Sequence, residues 1–496
     1  MLRPSRIGVL VKKLILLLVP LSLFAQVVVD TVIRLPEWLN DGCFMPEINK
    51  LCVTGESAFY ILDCSTYQVR ARIPMPRRLS LTHYTWNWRR QKLYVSCSRP
   101  ESTLVLDATG DSILRWLTVS PEFHVSTYVS DVDRLYKPAN ETLDVFDCST
   151  DTVVRRVLPT DPRYGFGYAT SDSVGRKLYV GMCNLGSPPL MGVYDYVNDS
   201  FTKVMDVSAI SALQPVAMVI NSRGRRACIA DNQVEPLVLT NVGIADLEHD
   251  SFLRTLPATI EHGLFRQVAS DERDGKIYIA SSDGKITTPD SLWVYDCATD
   301  SVARKVEYVR GGYGALCIRW VPWSNRLYLG CHMDMDHQTL DTSIVVVDCK
   351  TDSIIERLPM GHWGPRSIQL DPVRQRVFII GADSGTIHVL RDTGYAGVAE
   401  SPSAHVTPRR NAEAHVVIGY NGIEVEYQLP AAARVRATLH DAVGRQASVL
   451  DIGVQEPGTH RLSWNQDGEG RRLASGAYFV LLDMGQEQAR LKVVVR

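Results

Sequence analysis

Neither charge sign predominates in this chain: 53 Lys and Arg stand against 55 Asp and Glu, a formal net charge of -2 over 496 residues. A protein that tracks phosphates needs a basic excess, so nucleic acid is excluded as a partner. Beyond residue 24 no apolar run reaches the length of a membrane helix. Helical periodicity is missing from the same region, which removes the nucleotide-binding α/β folds. There is no GxSxG elbow, no HExxH, no Walker loop and no GxGxxG opening a helix. The 11 Cys include no CxxC pair, so a zinc or redox site has no support and no cofactor is expected. An odd number cannot pair completely. Several Cys recur at one repeat position, which favours free, buried thiols.

What is present begins at the N-terminus. Arg3, Arg6, Lys12 and Lys13 precede an apolar stretch from Leu14 to Phe24, the pattern of a secretion signal ending near Ala25. Leu23 fits the small-residue cleavage rule poorly, and no Cys follows to take a lipid. Residues 1–25 are therefore expected to be a signal peptide, and the mature protein to be secreted or on the cell surface after export through the periplasm, with no transmembrane segment.

Internal repetition decides the fold expectation. A basic or polar residue, an apolar residue, an aromatic and another apolar residue recur as QKLYV at Tyr94, DRLYK at Tyr136, RKLYV at Tyr179, GKIYI at Tyr278, NRLYL at Tyr328 and QRVFI at Phe378. Cys52 and Cys228 hold the aromatic place in two degenerate copies, and the eight positions are spaced 42, 42, 43, 49, 50, 50 and 50 apart. After each copy comes an alternating strand ending in Asp, then a turn, then Ser or Thr, as in VFDCSTDTVVRRVLP from Val145. A second Asp follows four residues later in six of seven copies, with Tyr67 the exception. Paired carboxylates invite a catalytic reading, but recurrence in every unit points to turn chemistry, with Asp oxygens capping backbone N–H groups.

Each unit holds four short strands, A to D, in about 45 residues, the size of a propeller blade. The segment Asp30 to Pro36 matches strand D, with no A, B or C before it, while the last unit has A, B and C and then breaks at Arg391 and Asp392. The orphan D is expected to complete the last blade and close the ring. The fold class is all-β: an eight-bladed β-propeller over 27–392, seven blades being the alternative, followed by a small Ig-like β-sandwich.

The KLYV strand with its VxVxD-x-x-T-x-x-V segment resembles the YVTN-type β-propeller repeats of bacterial and archaeal surface and periplasmic proteins. That resemblance implies a binding or interaction scaffold without a shared catalytic set. Residues 393–414 read as a linker, and 415–496 as a small antiparallel sandwich. The last segment is similar to the FlgD-type Ig-like fold and to the type A sorting domain of type IX secretion substrates. The resemblance rests on Tyr427-Gln-Leu-Pro430, His440 to Arg445, Trp464, Gly476, Tyr478 and the strand around Lys492. It implies secretion machinery as a partner of the tail.

Two groups of residues are candidates for chemistry. Loops from D into the next A share a face with the B–C loops around the channel, and there Trp38, Asp41, His124, Arg163, Tyr164, His262, Arg266, Tyr313, His362, Trp363 and Arg366 gather. Aromatics with Arg and His suit a protein or glycan partner. The alternative is an extracellular lyase or hydrolase at the channel mouth, which requires His262 and His362 to converge with neighbouring acids. The second group, His332, Asp334, Asp336 and His337, has metal-capable side chains but no EF-hand spacing, and a solvated polar loop is the favoured reading.

Overall fold

The computed structural model describes residues 27–393 and 414–495, less 76–79, 100, 118–125, 140, 185–186, 211–214, 232–241, 257–265, 282–288, 311, 334–342, 361–363, 382–384, 420–421, 430–431, 442–445, 465–472, 474–475 and 485–486. Residues 1–25, expected as a signal peptide, and most of 393–414, expected as a linker, lie outside the described residues. No described helix is long and apolar enough to cross a membrane. A single 3-10 turn at Ser208–Ile210 is the one helical element among the described residues.

Strands 27–392 form eight antiparallel sheets of four. The strand-B motif explains their stability, because its residues are buried on both faces rather than alternately. Leu93, Tyr94 and Val95 are all at 1 % exposure or less, and Tyr94, Tyr136, Tyr179, Tyr278 and Tyr328 are among the largest fully buried side chains. A strand with two dry faces needs a sheet on each side. That need is met by eight separate apolar cores, each drawn from two successive blades. The core between the first two blades joins Cys52 and Phe59 to Leu93 and Val95. The core between the last and the first joins Phe378 and Ile380 to Leu51 and Val53.

The innermost strands, A, contact one another in an unbroken circle. Leu39–Met45 touches Ser80–Asn87 on one side and Pro365–Asp371 on the other, and the remaining blades link likewise. The protein is an eight-bladed β-propeller, which removes the seven-bladed alternative. Its seam is as expected. Val27–Arg34 lies antiparallel to Thr386–Asp392, with Val28 opposite Arg391 and Ile33 opposite Ile387. That places Val27–Arg34 as strand D of blade 8, beside strands Pro365–Asp371, Arg376–Gly381 and Thr386–Asp392.

Every outer strand carries a β-bulge opposite strand C. Arg70, Leu114, Val154, Thr202, Leu253, Ala303 and Ile355 are the extra residues in blades 1 to 7, and Asp30 in blade 8. A bulged edge twists away from neighbouring chains and resists edge-to-edge pairing.

The tail folds as two small sheets. One holds Ala414–Gly419, Gly422–Leu429 and Gly458–Trp464, the other Gln446–Gln455, Ala433–Asp441, Gly476–Met484 and Glu487–Val495. Alternate residues Ile423, Val425, Tyr427 and Val435, Ala437, Leu439 meet Tyr478, Val480 and Leu482 in one core. Period-two patterning put them there.

Candidate functional site

The two ends of the ring are built differently. At one end every A–B connection is four residues long, from 46–49 in blade 1 to 372–375 in blade 8, and so is every C–D connection among the seven that exist. At the other end the B–C connections run from one residue (100) to ten (232–241), and the D–A connections from one (311) to nine (118–126). With the turns fixed, the rise in repeat length from 42 to 50 residues lies in these connections and in the strands that lead into them, such as Ser301–Arg310 and Gly312–Val321, on this second end, the loop face.

Uniform length at the turn face has a chemical basis. The first Asp of each C–D turn caps the turn. Asp63 Oδ1 accepts from Ser65 N at 2.7 Å, Asp147 Oδ1 from Ser149 N at 2.7 Å and Asp296 Oδ1 from Ala298 N at 2.7 Å. The residue four later has a left-handed backbone, with φ of 58° at Tyr67, 54° at Asp151 and 49° at Asp352. Asp tolerates that conformation, so the turn reading holds.

The second Asp does more than the sequence pattern suggested. It accepts a latch from strand B of the preceding blade. Asp151 takes Lys92 Nζ at 2.7 Å and Tyr94 OH at 2.6 Å. Asp250 takes Lys177 and Tyr179, and Asp352 takes Lys276 and Tyr278, in the same manner. Where Cys228 replaces the aromatic, Arg226 grips Asp300 with two nitrogens at 2.6 and 2.7 Å. The exception is compensated. Tyr67 has no carboxylate to offer, and the strand-B aromatic facing it is Phe378, which has no hydroxyl. Their rings meet edge to face at 6.5 Å. The signal was in the sequence, since the two departures from pattern sit in blades that adjoin only after ring closure.

At the seam the roles shift by one residue. Arg326 Nη1 and Tyr328 OH of blade 7 bond Asp392, each at 2.7 Å, and Ser324 Oγ adds a third bond at 2.7 Å. Arg326 is 1 % exposed and Asp392 fully buried. Asp30, the sequence counterpart of the second Asp, instead holds Arg376 at 2.7 Å and Arg391 at 3.0 Å within its own blade.

The sequence-nominated residues are placed as follows. Arg163 is exposed and tied at 2.6 Å to Asp161 on its own loop. Tyr164 is buried, its hydroxyl donating to Pro188 O at 2.9 Å, so it packs the D–A loop of blade 4 onto the B–C loop. Arg266 opens strand A of blade 6 opposite Ser281, and Tyr313 lies near the start of strand A of blade 7. Arg366 is exposed at a bulge in strand A of blade 8. His262, His362 and Trp363 lie outside the described residues, so their convergence is not in view. His332 belongs to strand B of blade 7, and Asp334, Asp336 and His337 lie outside the described residues. Among the described residues no group of three or more His, Cys, Asp or Glu is gathered to hold a metal. In the tail, Gly476 pairs with Val495, Tyr478 is buried opposite Val493 and Lys492 stands opposite Phe479.

All 11 Cys are free thiols, ten of them buried. Burial raises the Cys43 and Cys317 thiols to about 12, so both stay protonated at physiological pH.

No family model matches the chain. No curated protein does either. Among solved structures the chain is similar to hydrazine synthase of Kuenenia stuttgartiensis, at 14% identity and a TM-score of 0.47 over 73% of this chain and 98% of that one. It is also similar to the β-propeller domain of Myceliophteria thermophila Cps50 (Swd1), at 11% identity and 0.47 over 74% and 99%.

Asp41 was nominated from the sequence, but its neighbours were not, because strand A has no recurring motif. Asp41 in blade 1 and Arg319 in blade 7 both lie on innermost strands, and Ser367 and Gln369 of blade 8 stand between them. Gln369 Oε1 accepts from Phe44 N at 3.3 Å, its Nε2 donates to Ser367 Oγ at 3.0 Å, and Ser367 bonds Asp41. Deep placement raises the Asp41 carboxyl to about 6, against the opposing pull of the Ser367 and Gly42 bonds and of Arg319.

Proposed function

We propose that this protein is exported and works at the cell surface or outside the cell as a non-enzymatic propeller that binds a protein or glycan partner at its loop face. One observation carries the reading: length varies in the B–C and D–A connections and in the strands that lead into them, while every turn at the other end is fixed at four residues. A scaffold with one standardised face and one variable face suits recognition by the variable one. The basic n-region and apolar stretch of residues 1–25 support export, and the repeat resemblance supports a YVTN-type scaffold. The tail, with Gly476, Tyr478 and Lys492 in its sorting-like motif, serves as the address for secretion machinery.

The test is a glycan and peptide array probed with the mature full chain, followed by loop-face substitutions such as Arg163→Ala and Arg366→Ala. Binding that these substitutions weaken, with turn-face substitutions inert, supports the reading. A blank array, or binding abolished from the turn face alone, overturns it. Deleting 415–496 should leave the chain in the periplasm, and normal surface delivery of that truncation would refute the role given to the tail.

A further inference from the structure

We infer that blades 2 and 3 form a hinge in the ring: their interface parts at the loop face while the turn face keeps it laced. The inference goes beyond the binding reading and stands whether or not a partner is found, since it concerns how the face moves and not what it meets.

This interface is polar where its counterparts are apolar. The layer in question lies just to the loop-face side of the strand-B aromatic. Between blades 6 and 7 it is Ala280 opposite Leu292 and Leu329 opposite Val345, all four in one core. Between blades 2 and 3 the same places hold Ser96 opposite Thr103 and Lys137 opposite Asp144. All four are buried, at 5 % exposure or less. The other seven blades have Val, Ile or Leu at the Lys137 place, as at Val95, Ile279 and Leu329.

Nor does the cluster satisfy itself. Lys137 Nζ donates to Thr103 Oγ1 at 2.8 Å across the interface, and it makes no ion pair among the described residues. Asp144, the acid beside it, is engaged within its own blade by Thr142 Oγ1 at 2.8 Å and Arg156 Nε at 3.5 Å. The Ser96 hydroxyl is buried with no hydrogen-bond partner. Burial lowers the Lys137 amine to about 8, against the pull of Cys97 and Asp144. Lys50, the other lysine buried among the described residues, holds Asp111 at 2.5 Å. A cation and a hydroxyl kept from water without enough partners favour separation, because water supplies the bonds that the protein does not.

The packing around the cluster is thin as well. Six buried apolar residues make the core of this interface, the fewest of the eight among the described residues. Strand A of blade 3, Thr127–Val129, has three residues where the other innermost strands have six to ten. Its pairing with strand B stops at Tyr136, one residue before Lys137.

The turn-face half is the reverse. Asp151 of blade 3 takes both Lys92 and Tyr94 of blade 2, and Arg90 Nη2 meets Asp133 at 2.7 Å. Arg115 Nη1 donates to Thr150 O at 3.2 Å, and on the inner strands Thr85 Oγ1 donates to Ser126 O at 2.9 Å. These ties fix the pivot. Swinging about it spreads the B–C connections of the two blades, residue 100 and 139–142, and opens a gap with polar walls on the loop face. Local opening of this kind is drawn from the part of a structure with least apolar burial.

The test is thiol labelling of the folded full chain with iodoacetamide, read residue by residue by mass spectrometry. Ser96→Cys and Ala280→Cys put a small thiol at equivalent places in the two interfaces. The thiol at 96 should label at least about tenfold faster, since opening rehydrates an amine that burial holds at about 8. The native Cys148, buried in the turn-face half of the same interface, should stay slow. Adding Lys137→Leu and Asp144→Val, which copies the pair in blade 7, should slow labelling at 96 to about the rate at 280. Hydrogen exchange of the unaltered chain makes the comparison without substitution: Lys92–Arg99 should exchange faster than Lys276–Ser281. Equal labelling at 96 and 280, equal exchange of the two strands, or a rate at 96 that the blade 7 pair leaves unchanged would each overturn the hinge. Labelling of Cys148 as fast as that at 96 would also overturn it, because the whole interface would then separate with no pivot.

Discussion

The turn face and the loop face of this ring are made from the same four-stranded units, yet they obey opposite rules. Each turn at the first face has four residues and a left-handed fourth residue; every C–D turn adds an Asp at the cap position, and five of the eight A–B turns have Asp or Asn there, as where Asn221 Oδ1 accepts from Gly224 N at 2.6 Å and Arg225 has φ 52°. The two turns of one blade are joined by a backbone bond, as Cys148 N to Asp133 O at 3.2 Å, and successive blades by the Lys/Arg–Tyr–Asp latch. That lacing, replaced only between blades 8 and 1 by the Tyr67–Phe378 ring pair, leaves one end of the ring little freedom to vary. The other end is tied less regularly, by single bonds such as Leu35 N to Gly385 O at 2.8 Å and Met75 N to Ser57 O at 2.9 Å, and its connections range from one to ten residues. Rigidity concentrated at one face is what lets the other change length without opening the ring.

The strongest way to break that contrast is at the seam. Asp392→Ala leaves Arg326, at 1 % exposure, without its buried counter-charge. Removing one partner of a buried pair costs about 3–5 kcal/mol. The denaturation midpoint should fall accordingly, and a fall no larger than that of an exposed control such as Asp451→Ala would mean the seam does not hold the ring.

A smaller effect sharpens the contrast directly. One glycine inserted after Arg223, in the turn 222–225, displaces the Asn221 cap and the left-handed Arg225 together and should cost about 2 kcal/mol. The same insertion within 232–241 lengthens a ten-residue connection and should cost well under about 0.5 kcal/mol. Equal costs at the two sites would erase the distinction between the faces.

The third experiment uses the exception. Tyr67 and Phe378 replace carboxylate and hydroxyl with an edge-to-face ring pair. Tyr67→Asp alone puts a charge against Phe378, and Phe378→Tyr alone crowds a hydroxyl against Tyr67. Each should destabilise by about 1 kcal/mol, and the double substitution should recover most of the loss by recreating the latch of the other blades. Additive losses in the unfolding cycle would show that the two positions are not coupled.

Much of this was readable beforehand. The tyrosines spaced 42 to 50 apart gave the blades, and the strand-D character of Asp30 to Pro36 gave the closure, because both depend on local patterns that repeat. The latch was legible only in part. Asp151 looked like a turn residue and is one, but its partners Lys92 and Tyr94 lie 59 and 57 residues away, and only the ring brings them together. Asp41 was picked out as a loop-face residue, while its partner Ser367 on the neighbouring blade passed unnoticed, since strand A carries no recurring motif to mark it. Bulges in strand A at Asn40, Leu316 and Arg366 shift the alternation as well, so period-two counting fails there.

The smallest predicted effect has the opposite sign and ties the contrast to function. Asp41 has its carboxyl raised to about 6 from 3.8, so between those values the folded chain binds more protons than the unfolded one. Stability therefore falls as pH rises through that window and stays lowered above it. Asp41→Asn removes the penalty and should stabilise the protein at pH 7.5 by about 1 kcal/mol, with no gain at pH 3.5, allowing for solvent in the channel. On the turn face, by contrast, caps such as Asp63 and Asp147 are held below the usual carboxylate range, chiefly by hydrogen bonds from Ser65 and Ser149. Replacing either should lower stability at pH 7.5. A carboxylate that costs stability where it stands is kept for something other than folding, and if Asp41→Asn proved destabilising at pH 7.5, that distinction between the channel and the turn face would be lost.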